Sequence, residues 1–302
     1  MSIVENDSLD PALFSNSKQV RTILFPIRGM GLDNASLLDT WVSRYKCLRI
    51  LDLSDSSLDT IPDSIDKLEH LRTLDLSYSR KIKTLPQSIC RLQHLQVLLL
   101  GGCIELETLP KGFGKLISLR KLSITTKQSV LSQNEFASFN YLQNLKFVRC
   151  DNLKFLFDGA HQLTFLETLI VQSCGSLESL RLSCFPKLQT LFLSNCKKLD
   201  LSLNNKNPIQ KLKMKYLYLC EFPNLKKLPD YLTTMTHLKR LHIRRCPRVL
   251  TLPNDIHRLT ALEDLYIDNC PALCRKCQPQ IGKYWRMIAH IKHITIGKQK
   301  LR

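Results

Sequence analysis

The chain has 302 residues, 44% of them hydrophobic, and a formal net charge of +18 at pH 7. No apolar run approaches the ~18 residues of a membrane-spanning helix, and the polar, acidic start from Met1 to Asp10 has neither the basic flank nor the apolar stretch of a secretory leader. A soluble cytoplasmic protein is expected, and the glycosylation sequons at Asn6 and Asn34 read as chance matches. The charge is uneven: residues 206–302 hold 20 Lys and Arg against 6 Asp and Glu, and residues 1–205 hold 24 against 20. The basic end favours an acidic partner, whether a protein patch, a nucleic acid or an anionic membrane surface.

Residues 1–19 read as a flexible segment. A repeated apolar pattern follows, with a start residue and apolar residues three and five positions on. A weak copy, Val20, Ile23, Phe25, comes first. Regular copies then start at Leu48, Leu71, Leu95, Leu119, Leu142, Leu166, Leu188, Met214, Leu238 and Leu262, spaced by 23, 24, 24, 23, 24, 22, 26, 24 and 24 residues. A second weak copy, Ile291, Ile294, Ile296, closes the series. In each copy the alternation predicts a short strand whose apolar side chains turn inward. A Leu/Ile-Pro pair recurs further on, as at Ile61-Pro62, Leu85-Pro86, Leu109-Pro110, Leu228-Pro229 and Leu252-Pro253. Proline fixes φ and donates no hydrogen bond, so it turns the chain onto the outer face, where a short helical turn fits.

One such unit cannot bury its apolar edge alone, but stacked units share a core. The expected fold is therefore an α/β solenoid of about 11–12 repeats over residues 20–298, curved, with a parallel sheet on the concave side and irregular or short-helical segments on the convex side. A C-terminal cap is expected from about residue 271 and a tail over 299–302. Irregular loops are expected where the period slips, at 125–138, 182–187 and 202–213.

Eight residues past the start sits a recurrent cysteine: Cys103, Cys150, Cys174, Cys196, Cys246 and Cys270. The repetition predicts a column of small buried apolar residues and not a disulfide framework. The spacing Cys270-x3-Cys274-x2-Cys277, with His290 and His293 downstream, superficially resembles a zinc site. Cys270 belongs to the column, however, and only one Cys-x2-Cys pair is present, so no metal is expected.

The run Leu95-Gln-Val-Leu-Leu-Leu-Gly-Gly-Cys103-Ile-Glu-Leu-Glu-Thr-Leu-Pro110 and its sister copies resemble the leucine-rich-repeat region of plant intracellular nucleotide-binding immune receptors of the coiled-coil class. The ending is similar as well: Cys270-Pro271-Ala-Leu273, then Trp285-Arg-Met-Ile288-Ala289-His290-Ile291. The stretch from Leu32 to Leu38, with Trp41, looks like the lead into such a region. The resemblance spans about residues 20–298. It implies a recognition and regulatory module of innate immunity, with a protein partner: a pathogen effector, a guarded host protein or a nucleotide-binding switch domain. The family's phosphate loop, ending in Gly-Lys-Ser/Thr, has no counterpart here; Gly29-Met30-Gly31 and Gly112-Phe113-Gly114 lack the Lys-Ser/Thr. Nucleotide binding is not carried over, no cofactor is expected, and the chain reads as a truncated relative, a fragment or a partial gene model of such a receptor. The Ile61-Pro62-x-x-Ile65 pattern is also shared with Ras-binding repeat adaptors, which lack the cysteine column.

No catalytic constellation emerges, and the protein is not expected to be an enzyme. His70, His94, His161, His237 and His257 recur near the end of the outer segment and read as solvated. Asp52 and Asp75 share an exposed strand position, which is two carboxylates without a nucleophile or pocket. The face opposite the core leucines carries the residues two, four and six places past each start. It reads Ile50, Asp52, Ser54 and Thr73, Asp75, Ser77 in the early copies, and Thr190, Phe192, Ser194 in a middle one. The late copies differ: Tyr216, Tyr218, Cys220; Arg240, His242, Arg244; Asp264, Tyr266, Asp268. Tyrosine and arginine are enriched in interface hot spots. The candidate partner-binding residues are therefore Tyr216, Tyr218, Arg240, His242, Arg244, Asp264, Tyr266 and Asp268, the alternative being ordinary solvated sheet positions. A nucleic-acid or anionic-membrane binder driven by the basic end is the competing function; its basic residues include many outer-face lysines such as Lys226 and Lys227, which suit a solvated surface better than a groove.

Overall fold

The computed structural model describes residues 19–25, 32–136, 138–156, 162–201, 213–297 and 299–301. The expected N-terminal segment up to residue 18 and the loop at 202–212 lie outside the described residues. The chain divides into two compact units, residues 1–153 with 157–163 and residues 154–156 with 164–302.

In the first unit each repeat contributes one strand, starting two residues past its start leucine. The strands are β1 (Thr22–Ile23), β2 (Ile50–Asp52), β3 (Thr73–Asp75), β4 (Val97–Leu100), β5 (Lys121–Ile124) and β6 (Asn144–Val148). Neighbours pair in parallel and in register, Leu51 with Leu74, Leu74 with Leu98 and Leu98 with Leu122. Parallel pairing with no offset follows from the near-constant period, because identical positions meet. Leu48, Leu71 and Leu95 are wholly buried, as are Leu51, Leu74 and Leu98. Each fully buried leucine is worth about 1.5–3 kcal/mol of transfer free energy, and stacking shares one spine among all copies.

Helix α1 (Ala35–Arg44) precedes β2. Asn34 caps it, its Oδ1 accepting from the Ser36 and Leu37 backbone N–H groups at 2.9 and 3.2 Å. The cap satisfies donors that the first turn otherwise leaves open, which gives the Asn34 sequon a structural use. The helix buries Leu37, Leu38, Trp41 and Val42, with the Trp41 and Phe25 ring centroids 6.1 Å apart and the rings tilted at 37°. Tight 3-10 turns at Asp63–Lys67 and Gln87–Arg91 follow Pro62 and Pro86, whose φ values of −67° and −66° set the chain's direction. Within the stretch expected to be irregular at 125–138 lies a short helix, α2 (Gln133–Phe136). Phe113, Phe136 and Phe139 cluster beside it with ring centroids 5.4–6.5 Å apart, filling the core where the leucine period slips.

The second unit repeats the scheme with β7 (Thr168–Gln172), β8 (Thr190–Ser194), β9 (Tyr216–Cys220), β10 (Arg240–Arg244), β11 (Asp264–Asp268) and β12 (His293–Ile296), all parallel. The expected loop at 182–187 contains a 3-10 turn, Leu182–Cys184. Helices α3 (Pro271–Lys276) and α4 (Trp285–Ile288) join β11 to β12. Residues 299–300, expected as tail, form β13 (Gln299–Lys300), which runs antiparallel to β12.

The cysteine column is buried throughout: Cys103, Cys150, Cys174, Cys196, Cys246 and Cys270 are fully covered. None of the protein's cysteines is in a disulfide. Each of five Sγ–H groups points at the carbonyl closing the previous strand's core, Cys103 at Leu76, Cys150 at Ile124, Cys196 at Val171, Cys246 at Leu219 and Cys270 at Ile243. Burial pushes the Cys103 and Cys196 thiols up to about 12. Two serines continue the column into the early repeats. Ser79 Oγ donates to the Leu53 carbonyl at 2.9 Å and accepts from Ser56 N at 3.2 Å, and Ser56 Oγ accepts from Leu32 N at 3.0 Å.

The residue before each of these positions is left-handed. Asp55, Tyr78, Arg149, Ser173, Asn195, Glu221, Arg245 and Asn269 have φ between 51° and 63°, and Gly102 takes the position at φ 90°. The turn aims their N–H groups along the array, as in Tyr78 N to Gly101 O (2.9 Å) and Arg245 N to Asp268 O (2.9 Å). For these two residues, and for Asp55, Ser173, Asn195 and Glu221, a hydrogen bond to the next strand offsets a conformation that L residues otherwise avoid.

Candidate functional site

The site is built on one face of β8 to β11, all within the second unit. Period-two alternation sends Leu217, Leu219, Leu241, Ile243, Leu265 and Ile267 into the core and leaves the intervening side chains on the open face. Register then aligns them in columns. Arg240 stands beside Tyr216 and Asp264, His242 beside Tyr218 and Tyr266, and Arg244 beside Cys220 and Asp268.

The central column is aromatic. Ring centroids of Phe192 and Tyr218 are 5.9 Å apart, of Tyr218 and His242 5.0 Å, and of His242 and Tyr266 5.1 Å. The Tyr218–His242 pair is edge-on at 81° and the other two are tilted at 39° and 38°, geometries that suit ring quadrupoles. All four rings are half-buried. Burial lowers the pKa of His242, against the opposing pull of Asp264, so the imidazole is held toward its neutral form. Its Nε2 lies 3.6 Å from Asp264 Oδ2, too far for a hydrogen bond, and finds no hydrogen-bond partner among the described residues.

Ion pairs flank the rings. Arg240 Nε sits 2.9 Å from Asp264 Oδ2, and its guanidinium carbon lies 5.8 Å from the Tyr216 ring centroid. The Tyr218 hydroxyl, and then Asp264, hold the Arg240 guanidinium above its ordinary pKa. Arg244 Nε lies 3.5 Å from Asp268 Oδ2, and Asp268 also accepts from Asn269 Nδ2 at 3.1 Å. Half-exposed pairs of this kind contribute about 0–1 kcal/mol to stability. Their larger effect is to fix two long side chains in place before a partner arrives, reducing the entropy lost on binding.

All eight residues singled out from the sequence therefore share one face of three adjacent strands. Phe192 is an open-face residue of the sequence pattern outside the eight candidates. The structure adds it through its ring contact with Tyr218, and its offset within the repeat was the available signal. The arginines differ from the simplest reading, since each is engaged by the next strand's aspartate. The basic surplus of residues 206–302 thus lies elsewhere, on turns and on the segment beyond β11.

Asp52 and Asp75 are register neighbours in the first unit. Each carboxylate accepts from the backbone N–H two residues on, Ser54 at 2.9 Å and Ser77 at 2.8 Å. They tie turns. His70, His94, His237 and His257 are exposed, and His161 lies outside the described residues. Among the described residues no three His, Cys, Asp or Glu side chains converge as metal ligands.

One parallel strand per repeat of 22–26 residues, a leucine spine and outer 3-10 turns define a leucine-rich-repeat fold. The family of the leucine-rich repeat region matches residues 40–181. Solved structures agree. The leucine-rich-repeat domain of the type III effector XopL is 22% identical, with a TM-score of 0.51 over 76% of this chain and 72% of that one. A chain of the Toll–Spatzle complex of Drosophila is 18% identical, with a TM-score of 0.54 over 89% of this chain and 36% of that one. At these identities the likeness concerns the fold. None of the curated proteins compared with the chain matches it.

Proposed function

We propose that the protein is a recognition module whose partner is another protein, docked on the open face of β8 to β11. The observation that carries this reading is the column Phe192, Tyr218, His242 and Tyr266, four rings in mutual contact and half open to solvent, bordered by arginines already held by Asp264 and Asp268. Aromatic and arginine anchors with restricted freedom are what protein interfaces concentrate at their centres. A leucine-rich-repeat array supplies such a surface on a rigid frame.

The finer reading rests on the resemblance of the repeats and the ending to plant intracellular immune receptors. In that setting the partner is a pathogen effector, a guarded host protein or a nucleotide-binding switch domain, and the protein works in the cytoplasm. Cysteines without disulfides accord with a reducing compartment. The test is quantitative capture from plant tissue, with and without infection, comparing wild type with a Tyr218→Ala/Arg244→Ala double variant. Loss of about 2 kcal/mol or more of binding, roughly 30-fold, is expected of hot-spot residues. A partner retained equally by both proteins would place the contact elsewhere.

A further inference from the structure

Beyond β11 the chemistry changes. Residues 270–302 carry eight Lys and Arg, two His and no Asp or Glu. Arg275, Lys283, Arg286 and Lys292 are exposed. Among the described residues, no cation of this segment enters an ion pair, whereas Arg240, Arg244 and Arg245 on β10 and the turn after it each do.

The turn between α3 and α4 lies within this acid-free stretch of sequence and presents Ile281 at 82% exposure. That exposure is built in. Ile281 N donates to Pro279 O at 2.7 Å, Gly282 N to Gln278 O at 2.9 Å, Tyr284 N to Lys276 O at 2.9 Å and Trp285 N to Gly282 O at 3.0 Å. Cys277 and Tyr284 are buried on either side. A Cβ at Gly282 would stand 2.5 Å from Lys276 O and 2.6 Å from Gln278 N, so only glycine lets the turn close this tightly. Trp285 follows, half-buried. Lys276 Nζ donates to the Leu250 carbonyl at 2.9 Å, which sets a second exposed aliphatic residue, Leu250, next to the same cation.

We propose that this turn is a docking point for an anionic phospholipid surface, with Ile281 entering the headgroup boundary and Arg275, Lys276, Lys283 and Arg286 meeting the lipid phosphates and carboxylates. An exposed aliphatic residue at a turn flanked in sequence by exposed cations fits a soft, planar, negatively charged interface. Nucleic acid would be served by exposed rings for stacking; here Tyr284 is buried and Trp285 half-buried, and the most exposed large apolar residue is the aliphatic Ile281. No helix among the described residues is long and apolar enough to cross a membrane; the attachment proposed is peripheral.

The test is co-sedimentation of the protein with vesicles of phosphatidylcholine, with and without about 30% phosphatidylserine, a surface potential that attracts basic segments. Wild type should pellet with the anionic vesicles, remain in solution with phosphatidylcholine alone, and detach as salt rises toward about 0.5 M. Ile281→Ser should weaken binding about tenfold, and Ile281→Leu should retain it. Lys283→Ala/Arg286→Ala should weaken it about 30-fold, from ~1 kcal/mol per cation near the surface. The Tyr218→Ala/Arg244→Ala variant should pellet as wild type does, which separates this surface from the open-face site. Wild type remaining in solution with anionic vesicles, or Ile281→Ser pelleting like wild type, would overturn the proposal. Retention on immobilised polyglutamate without vesicle binding would do so in favour of an acidic protein.

Discussion

Ser79 offers a direct test of how adjacent repeats are joined. Its hydroxyl is fully buried, donates to the Leu53 carbonyl at 2.9 Å and accepts from Ser56 N at 3.2 Å. Ser79→Ala removes both bonds and little volume. Each buried polar group left without a partner costs about 1–3 kcal/mol, so the pair should cost about 2–4 kcal/mol after partial relaxation. Ser79→Cys should cost less than about 1 kcal/mol, because a thiol can still donate, as Cys103 does to the Leu76 carbonyl at the same position of the next repeat. Repeat arrays need not unfold as one body, so the signal must report locally. Trp41 is buried in the first unit and Trp285 belongs to the second. Urea titrations followed by fluorescence in a Trp285→Phe background therefore report the repeats that contain Ser79. Hydrogen exchange at the Ser56 amide gives an independent reading. If Ser79→Ala unfolds within about 0.5 kcal/mol of Ser79→Cys, well inside the cost of one lost buried bond, and the Ser56 amide stays protected, the column does not join repeats as argued.

Three further outcomes are expected. Arg149, left-handed at φ 51°, should tolerate glycine, with a gain of up to about 1 kcal/mol, and should lose about 1–2 kcal/mol on Arg149→Val; thermal melts decide it. Burial raises the Asp75 pKa above its unfolded value, so its contribution is fully present below about pH 3.8 and is lost as pH rises through the folded value. Asp75→Asn keeps the acceptor for Ser77 N and should raise the urea midpoint at pH 7 more than at pH 3. His242 is the opposite case. Its folded pKa is lowered by burial, so stability is present above about pH 6.5 and lost as pH falls through the folded value. His242→Phe should flatten the fall in midpoint between pH 7 and pH 5, and an unchanged slope would contradict the assignment.

The strands and the leucine spine were legible because two periods coincide in the sequence: alternation within a strand and a fixed distance between copies. The cysteine column was legible for the same reason. Ser56 and Ser79 were not seen as members, because serine near a turn is common and its burial is a tertiary fact. The left-handed residue of each repeat was hidden for a stronger reason. Asn195, Asn269 and Gly102 carry a familiar signature, but Tyr78, Arg149, Glu221 and Arg245 do not. At Tyr78, Glu221 and Arg245 the parallel register and the N–H bond to the next strand impose a conformation the local sequence does not prefer. The candidate face was legible as a set of offsets. Its pairings, Arg240 with Asp264 and Arg244 with Asp268, depend on a register that the period implied but that only coordinates make specific. Helix α1 was missed as a helix, although Asn34 ahead of an apolar stripe is a usable start signal.

A stack of parallel strands has a weakness at its last rung, where bare N–H and C=O groups invite any passing strand to join and propagate the pile. Here that rung is β12, and the reversed β13 lies along it, with Thr295 opposite Lys300 and Ile296 opposite Gln299. A newcomer finds the Thr295 and Ile296 positions already paired with a short segment of opposite polarity that carries an exposed lysine, Lys300. Part of this edge is thereby covered by two residues, and deleting Gln299 and Lys300 should be felt first as clumping in concentrated solution and later as lost stability.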